Sequence, residues 1–235
     1  MNNAELNTLK TGLKNKDYKL RRDAIQKLSC SVRNQEKTIE KNPSFTQLIP
    51  ILTEALTDSD GYTRVLAAEA LVGIDRNFEQ ADAFKIMKTL IEILGSKEDE
   101  LVDEEEDDID CCHLTFSEGA GFVLLDTGGF ASSVASEVIQ LLTNPDPQYR
   151  GAVIYALSLM VYGNPTPFTE GLEHKNKLVR LGILDVFSEL ERYGYLYYEK
   201  DWVIPALEKA SEDKNKQVRK EASMLLKSLV DVLDD

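Results

Sequence analysis

The sequence predicts an all-α protein built from consecutive two-helix repeats. Three observations predict it. One arrangement of residues recurs at fixed offsets along the 235-residue chain. The residues after each recurrence are apolar at three- and four-residue steps, the spacing of one helix face. A polar turn rich in Asp, Asn, Gly and Pro stands before each one, and these residues favour turns and helix starts.

The arrangement is clearest in two distant segments, "LIPILTEALTDSDGYTRVLAAEAL" from Leu48 and "VIPALEKASEDKNKQVRKEASMLL" from Val203. Pro50 and Pro205 each stand fourteen residues before an arginine, Arg64 and Arg219. Asp58 and Asp213 precede that arginine by six, and Ala67 and Ala222 follow it by three. In chain order the copies are anchored at Arg21, Arg64, Glu118, Arg150, Arg180 and Arg219. The first reads "NKDYKLRRDAIQKL", the fourth "NPDPQYRGAVIYAL" and the fifth "HKNKLVRLGILDVF". The third, "CHLTFSEGAGFVLL", is weak: Glu118 replaces the arginine and Cys112 the turn residue.

Each copy reads as two helices and a tight turn. Val218, Ala222, Leu225, Leu226 and Leu229 share one face of a second helix. Phe45 to Leu56 and Val134 to Leu142 read as amphipathic first helices. A pair of this size cannot bury its apolar side alone, so neighbours must stack into one continuous core. The small Ala24, Ala67, Gly121 and Ala222 suit places where helices pass closely. The anchors are separated by 43, 54, 32, 30 and 39 residues. The longest gap holds an acidic run. Ten of the thirteen residues from Glu98 to Asp110 are Asp or Glu, so an insertion at about 96–114 is expected in the third repeat.

These residues resemble HEAT repeats, whose units carry an Asp in the turn and Val-Arg at the start of the second helix. The shorter gaps are similar to the HEAT-like repeats of the phycobilisome-lyase type. The resemblance covers nearly the whole chain, 1–235, and implies one domain. It implies an α-solenoid, a right-handed superhelix of about six two-helix repeats with the acidic loop in the third. It also implies that the turn Asp and the Arg are architectural and link adjacent units. On that basis Asp58 with Arg64 and Asp213 with Arg219 are the best-matched pairs, and Arg150 and Arg180 are further anchors.

Composition narrows the function. The net charge is −14, and about −4 remains without the acidic run. No basic stripe is present to displace counterions, so nucleic acid is an unexpected partner. Cys30, Cys111 and Cys112 form no disulfide framework, which suits a reducing compartment. No signal-peptide core or membrane-length apolar stretch occurs, and a cytoplasmic protein is expected. Phosphate-loop and nucleophile-elbow patterns are missing, and "DTGGF" reads as a connector. Adjacent Cys111 and Cys112 cannot easily reach one zinc ion, and "DEEEDDID" lacks the spacing of a calcium loop. Neither metal nor cofactor is expected, nor catalysis. His174 stands at a turn position and reads as a cap.

Three surfaces are candidates for a protein partner. The first is the acidic run, Asp103, Glu104, Glu105, Glu106, Asp107 and Asp108, which suits either a solvated loop or an electrostatic contact for a basic partner. The second is "ERYGYLYYEKDW", with Tyr195, Tyr197 and Trp202 among residues favoured at interfaces and in packed loops alike. The third is the inner surface of the second helices, with Arg22, Gln26, Glu69, Tyr155, Tyr162, Asp185, Glu189 and Lys227. The leading expectation is a non-enzymatic scaffold that binds a protein on its concave surface. Alternatives are an acidic immunity protein or antitoxin masking a basic toxin or nuclease, a HEAT-like bilin lyase and, more remotely, a HEAT-like DNA glycosylase. No exposed heptad compels self-association, so a monomer is expected.

Overall fold

The computed structural model describes residues 3–33, 47–74, 80–96, 116–127, 131–162 and 164–231. The acidic run, with Asp103, Glu104, Glu105, Glu106, Asp107 and Asp108, lies outside them, as do Cys111, Cys112 and His113. The described residues contain twelve α-helices and no strand. They divide into two compact units, Met1–Phe130 and Ala131–Asp235.

The first unit holds α1 (Asn3–Leu13), α2 (Tyr18–Arg33), α3 (Ile49–Ala55), α4 (Gly61–Ile74), α5 (Gln80–Leu94) and α6 (Phe116–Asp126). Sequence neighbours pack in pairs, α1 on α2, α3 on α4 and α5 on α6. The second helices also pack on one another, α2 on α4 and α4 on α6. That is the layering of stacked two-helix units. Ile25, Leu28, Leu52, Leu71, Ile86 and Leu90 fill the core. Each fully buried aliphatic side chain of this size contributes about 1.5–3 kcal/mol.

The second unit holds α7 (Ala135–Gln140), α8 (Pro147–Ser158), α9 (Thr166–Leu172), α10 (Lys177–Arg192), α11 (Lys200–Ala210) and α12 (Lys216–Asp231). The same layering recurs, with α8 on α10 and α10 on α12 as second helices and α7, α9 and α11 as first helices. The apolar segment from Val134 to Leu142 is not one even helix. Its ends tighten into 3-10 turns, Ser132–Val134 and Leu141–Thr143, around the short α7. Phe168, Phe187, Val153, Ile183, Val203, Leu207 and Val218 are buried here.

One turn design starts the second helix in every fully described copy. The residue six before the anchor accepts a hydrogen bond from the backbone N–H two residues on. Asn15 does so at 2.9 Å, Asp58 at 2.9 Å, Asn144 at 2.9 Å, His174 through Nδ1 at 3.1 Å and Asp213 at 2.6 Å. The donating residue, Asp17, Asp60, Asp146, Asn176 or Asn215, in turn accepts through its side chain from the first N–H groups of the helix. These free donors would otherwise be unsatisfied. His174 thus takes the turn position held by Asp or Asn in the other copies, and the helix cap itself is Asn176.

Small residues appear where backbones approach. A Cβ on Gly182 would sit 2.7 Å from Leu142 Cδ2, and one on Gly12 would sit 2.6 Å from the Cβ of Ala24. Gly151, by contrast, faces open space.

Candidate functional site

The anchors come first, because they fix the helices that carry every candidate surface. Four of the anchor arginines, Arg21, Arg150, Arg180 and Arg219, fold back over their own turns. Arg21 Nη1 donates to the Asn15 and Lys16 carbonyls at 3.0 Å each. Arg150 does the same to Asn144 and Pro145, Arg180 to His174 and Lys175, and Arg219 to Asp213. The remaining guanidinium edge can then reach the next copy. Arg21 clasps Asp58 through Nε at 2.6 Å and Nη2 at 2.7 Å. Arg180 stands 2.8 Å from Asp213 through Nε and 3.2 Å through Nη2.

The Asp and Arg positions thus link adjacent units, each carboxylate pairing with the arginine of the copy before it and not with the one matched to it in its own copy. Asp58 takes Arg21 rather than Arg64, and Asp213 takes Arg180 rather than Arg219. The reason is geometric. The turn carboxylate already accepts from its own loop, and its free oxygens face the preceding second helix. Arg64 departs from the pattern: its Nε, like that of Arg180, is buried without a hydrogen bond among the described residues, but no carboxylate of a following turn pairs with it there. Arg150 precedes a copy whose turn residue is His174, not a carboxylate, and makes no such rung among the described residues.

A second ion pair flanks the first unit's rung. Arg22 Nη2 binds Asp60 Oδ1 at 2.6 Å, and its guanidinium lies over the rings of Tyr18 and Tyr62. Arg22 was expected as an exposed inner-surface residue. It is instead held by its neighbours. Glu69, from the same expected surface, accepts from Ser29 Oγ at 2.6 Å.

The second helices of the Ala131–Asp235 unit leave one row of side chains uncovered. Tyr155 on α8, Asp185 on α10 and Met224 on α12 each stand five residues after their anchor, and all three are exposed. Because α8, α10 and α12 pack in succession, equal register makes them neighbours across the stack. Glu189 and Glu221 flank Asp185 electrically. Partial burial pushes the Asp185 carboxyl up, Glu221 adds to this, Arg150 opposes it and Glu189 adds again. The row therefore offers an aromatic ring, a thioether and a carboxylate whose charge is under-compensated.

The tyrosine segment forms a separate exposed cluster. Gly194, at φ +73°, ends α10 with a Schellman-type turn in which Tyr195 N–H donates to Leu190 at 2.8 Å and Gly194 N–H to Glu191 at 2.9 Å. The reversal leaves Tyr193 and Tyr198 67% and 76% exposed. Tyr195 meets Tyr162 edge to face at 6.4 Å and lies beside Tyr193. Tyr197 carries Lys200 over its ring at 4.2 Å. Trp202 goes the other way. Its ring packs against Phe187 at 5.6 Å and Phe168 at 6.4 Å, and its Nε1 donates to Glu199 at 2.6 Å.

Among the described residues no cluster of three His, Cys, Asp or Glu side chains is arranged to hold a metal ion. No helix among them is long and apolar enough to cross a membrane.

No protein-family model matches the sequence, and no curated protein matches it. Solved structures do. The chain is similar to TOG3 of Drosophila melanogaster Mini spindles, at 14% identity and TM-score 0.62, over 98% of this chain and 95% of that one. It is similar to Kap95p, described for its binding to RanGDP, at 15% identity and TM-score 0.53, over 96% of this chain and 30% of that one. Kap121p bound to Nup53p matches at 16% identity and TM-score 0.51, over 95% of this chain and 25% of that one. These likenesses concern the fold.

Proposed function

Starting from the HEAT-type α-solenoid fold of this chain, we propose that it is a non-catalytic scaffold whose exposed second-helix row receives a protein partner. The observation that carries this reading is the row Tyr155, Asp185 and Met224, uncovered on three successively packed helices. Stacked helices present an extended surface rather than an enclosed catalytic pocket. An exposed tyrosine and methionine beside a carboxylate with two acidic neighbours suit a partner segment that is both basic and apolar. Kap121p, of similar fold, is a protein bound to another, Nup53p, and that is consistent with such a role. The proposed locations are the concave surface and, for the chain as a whole, the cytoplasm.

The acidic run 98–110 would add long-range attraction for the same basic partner, raising the rate of encounter more than the affinity. The test is capture of the partner from the native host, then direct binding with both proteins purified. The Tyr155→Ala/Asp185→Asn variant is expected to bind at least tenfold more weakly, about 1.4 kcal/mol. Unchanged affinity in that variant would overturn the proposed site. Replacing the acidic residues of 98–110 by Asn and Gln is expected to slow association at low salt and leave dissociation nearly unaltered.

A further inference from the structure

A different surface of the second unit has the make-up of a small-molecule site. A groove of about 570 Å³ runs between the first helices α9 and α11. That volume lies within the range of pockets that hold small ligands, roughly 300–1,000 Å³. Leu172, Trp202, Pro205, Ala206 and Ala210 give it an apolar lining. Its charged groups are not equivalent. Asp213 is taken by Arg180, and Glu173 is taken by Lys209. Lys175 and Lys214, both exposed and both five residues before an anchor, have no ion-pair or hydrogen-bond partner for their ammonium groups among the described residues. The groove therefore carries two uncompensated positive charges on a chain whose net charge is −14.

His174 adds a directional group. Its Nδ1 accepts from the Asn176 N–H at 3.1 Å, so the neutral ring carries its proton on Nε2. A donor is then available in the same lining as the two lysines.

We propose that this groove binds a small amphipathic anion, an aromatic or branched apolar group bearing one carboxylate or sulfonate. The apolar part would lie against Trp202, Pro205 and Ala206. The anionic oxygens would be held by Lys175, Lys214 and the His174 Nε2–H. The rung between Arg180 and Asp213 fixes the spacing of the two turns that bear these lysines, so the site is built by the repeat stack itself. This inference is independent of the second-helix row.

Trp202 is the single tryptophan of the chain, and it lines the groove. Its fluorescence therefore reports occupancy directly. The experiment titrates the intact chain with 1-anilinonaphthalene-8-sulfonate and, separately, with the uncharged N-phenyl-1-naphthylamine. The expected result is one sulfonate per chain, with Trp202 emission quenched and transferred to the probe. Lys175→Gln/Lys214→Gln is expected to weaken the sulfonate at least tenfold and leave the uncharged probe unaffected. Ala206→Leu, which narrows the lining without touching a charge, is expected to weaken both. Circular dichroism of each variant separates loss of the site from loss of the fold. Binding of several probe molecules without quenching of Trp202, or equal sulfonate affinity in the double-glutamine variant, would overturn the proposal.

Discussion

Arg180 joins two copies of the repeat: it donates to the His174 carbonyl of its own turn at 2.6 Å and stands 2.8 Å from Asp213 of the next. The guanidinium is almost wholly buried, so its charge depends on that one carboxylate. Removing a single partner from a buried pair leaves an uncompensated charge, which costs more than the pair itself is worth. Asp213→Ala is expected to lower stability by about 3–5 kcal/mol. Urea unfolding of that variant, of Arg180→Met and of the double variant should show clear non-additivity, with the double variant less destabilised than the sum.

The rung in the first unit predicts an acid sensitivity. Burial pushes the Asp58 carboxyl up, but the Arg21 guanidinium and the Asp60 N–H outweigh it and hold the group below its ordinary value. Asp60 is held down in the same sense by Arg22 and Thr63, against its own burial. A carboxyl depressed in the folded state contributes stability above its unfolded pKa. That contribution fades as pH falls from the ordinary carboxylate range through the lower folded value. Asp58→Asn/Asp60→Asn should be less stable at pH 7, and its denaturation midpoint should fall less steeply below about pH 4.

Arg64 offers the contrast. It has the anchor position but, among the described residues, no ion pair like those of Arg21 and Arg180. Arg64→Met is expected to cost less than Arg21→Met, which severs a two-point clasp on Asp58. Thermal unfolding of the two variants side by side measures the difference.

Two glycines in second helices test the packing. Ala is favoured over Gly in a helix interior by about 1 kcal/mol. Gly151→Ala meets nothing within 4 Å and should stabilise by roughly that amount. Gly182→Ala drives a Cβ to within 2.7 Å of Leu142, and the overpacking should cost about 1–3 kcal/mol.

The fold was legible in the sequence because its signal is repeated. A single turn such as "EDKNKQ" is ambiguous, but the same offsets around Arg21, Arg150, Arg180 and Arg219 are not. The partner of each Asp was harder to read. Offsets within one copy place Asp58 six residues from Arg64, yet the contact that forms is with Arg21, 37 residues away. Periodicity gives the face a residue occupies but not which neighbouring unit it reaches. Tyr155, Tyr162 and Asp185 are exposed as their spacing suggested. Arg22 is not free, because Tyr62 and Asp60 reach it from the next copy and Tyr18, one turn before it on its own helix, covers its guanidinium. Trp202 stood in a stretch whose tyrosines point outward, and only its packing on Phe168 and Phe187 separates it from them. The groove beside it draws on residues from two copies, and no local motif marks it.

The proposed partner surface can be read out directly by photocrosslinking in the native host. Benzoylphenylalanine is placed at position 155 or 224 of the second-helix row, and at position 208, an exposed site on the first helix α11. One protein crosslinked from positions 155 and 224 and not from 208 is the expected result. The same protein crosslinked from 208, with none from 155 or 224, would contradict the scaffold as described.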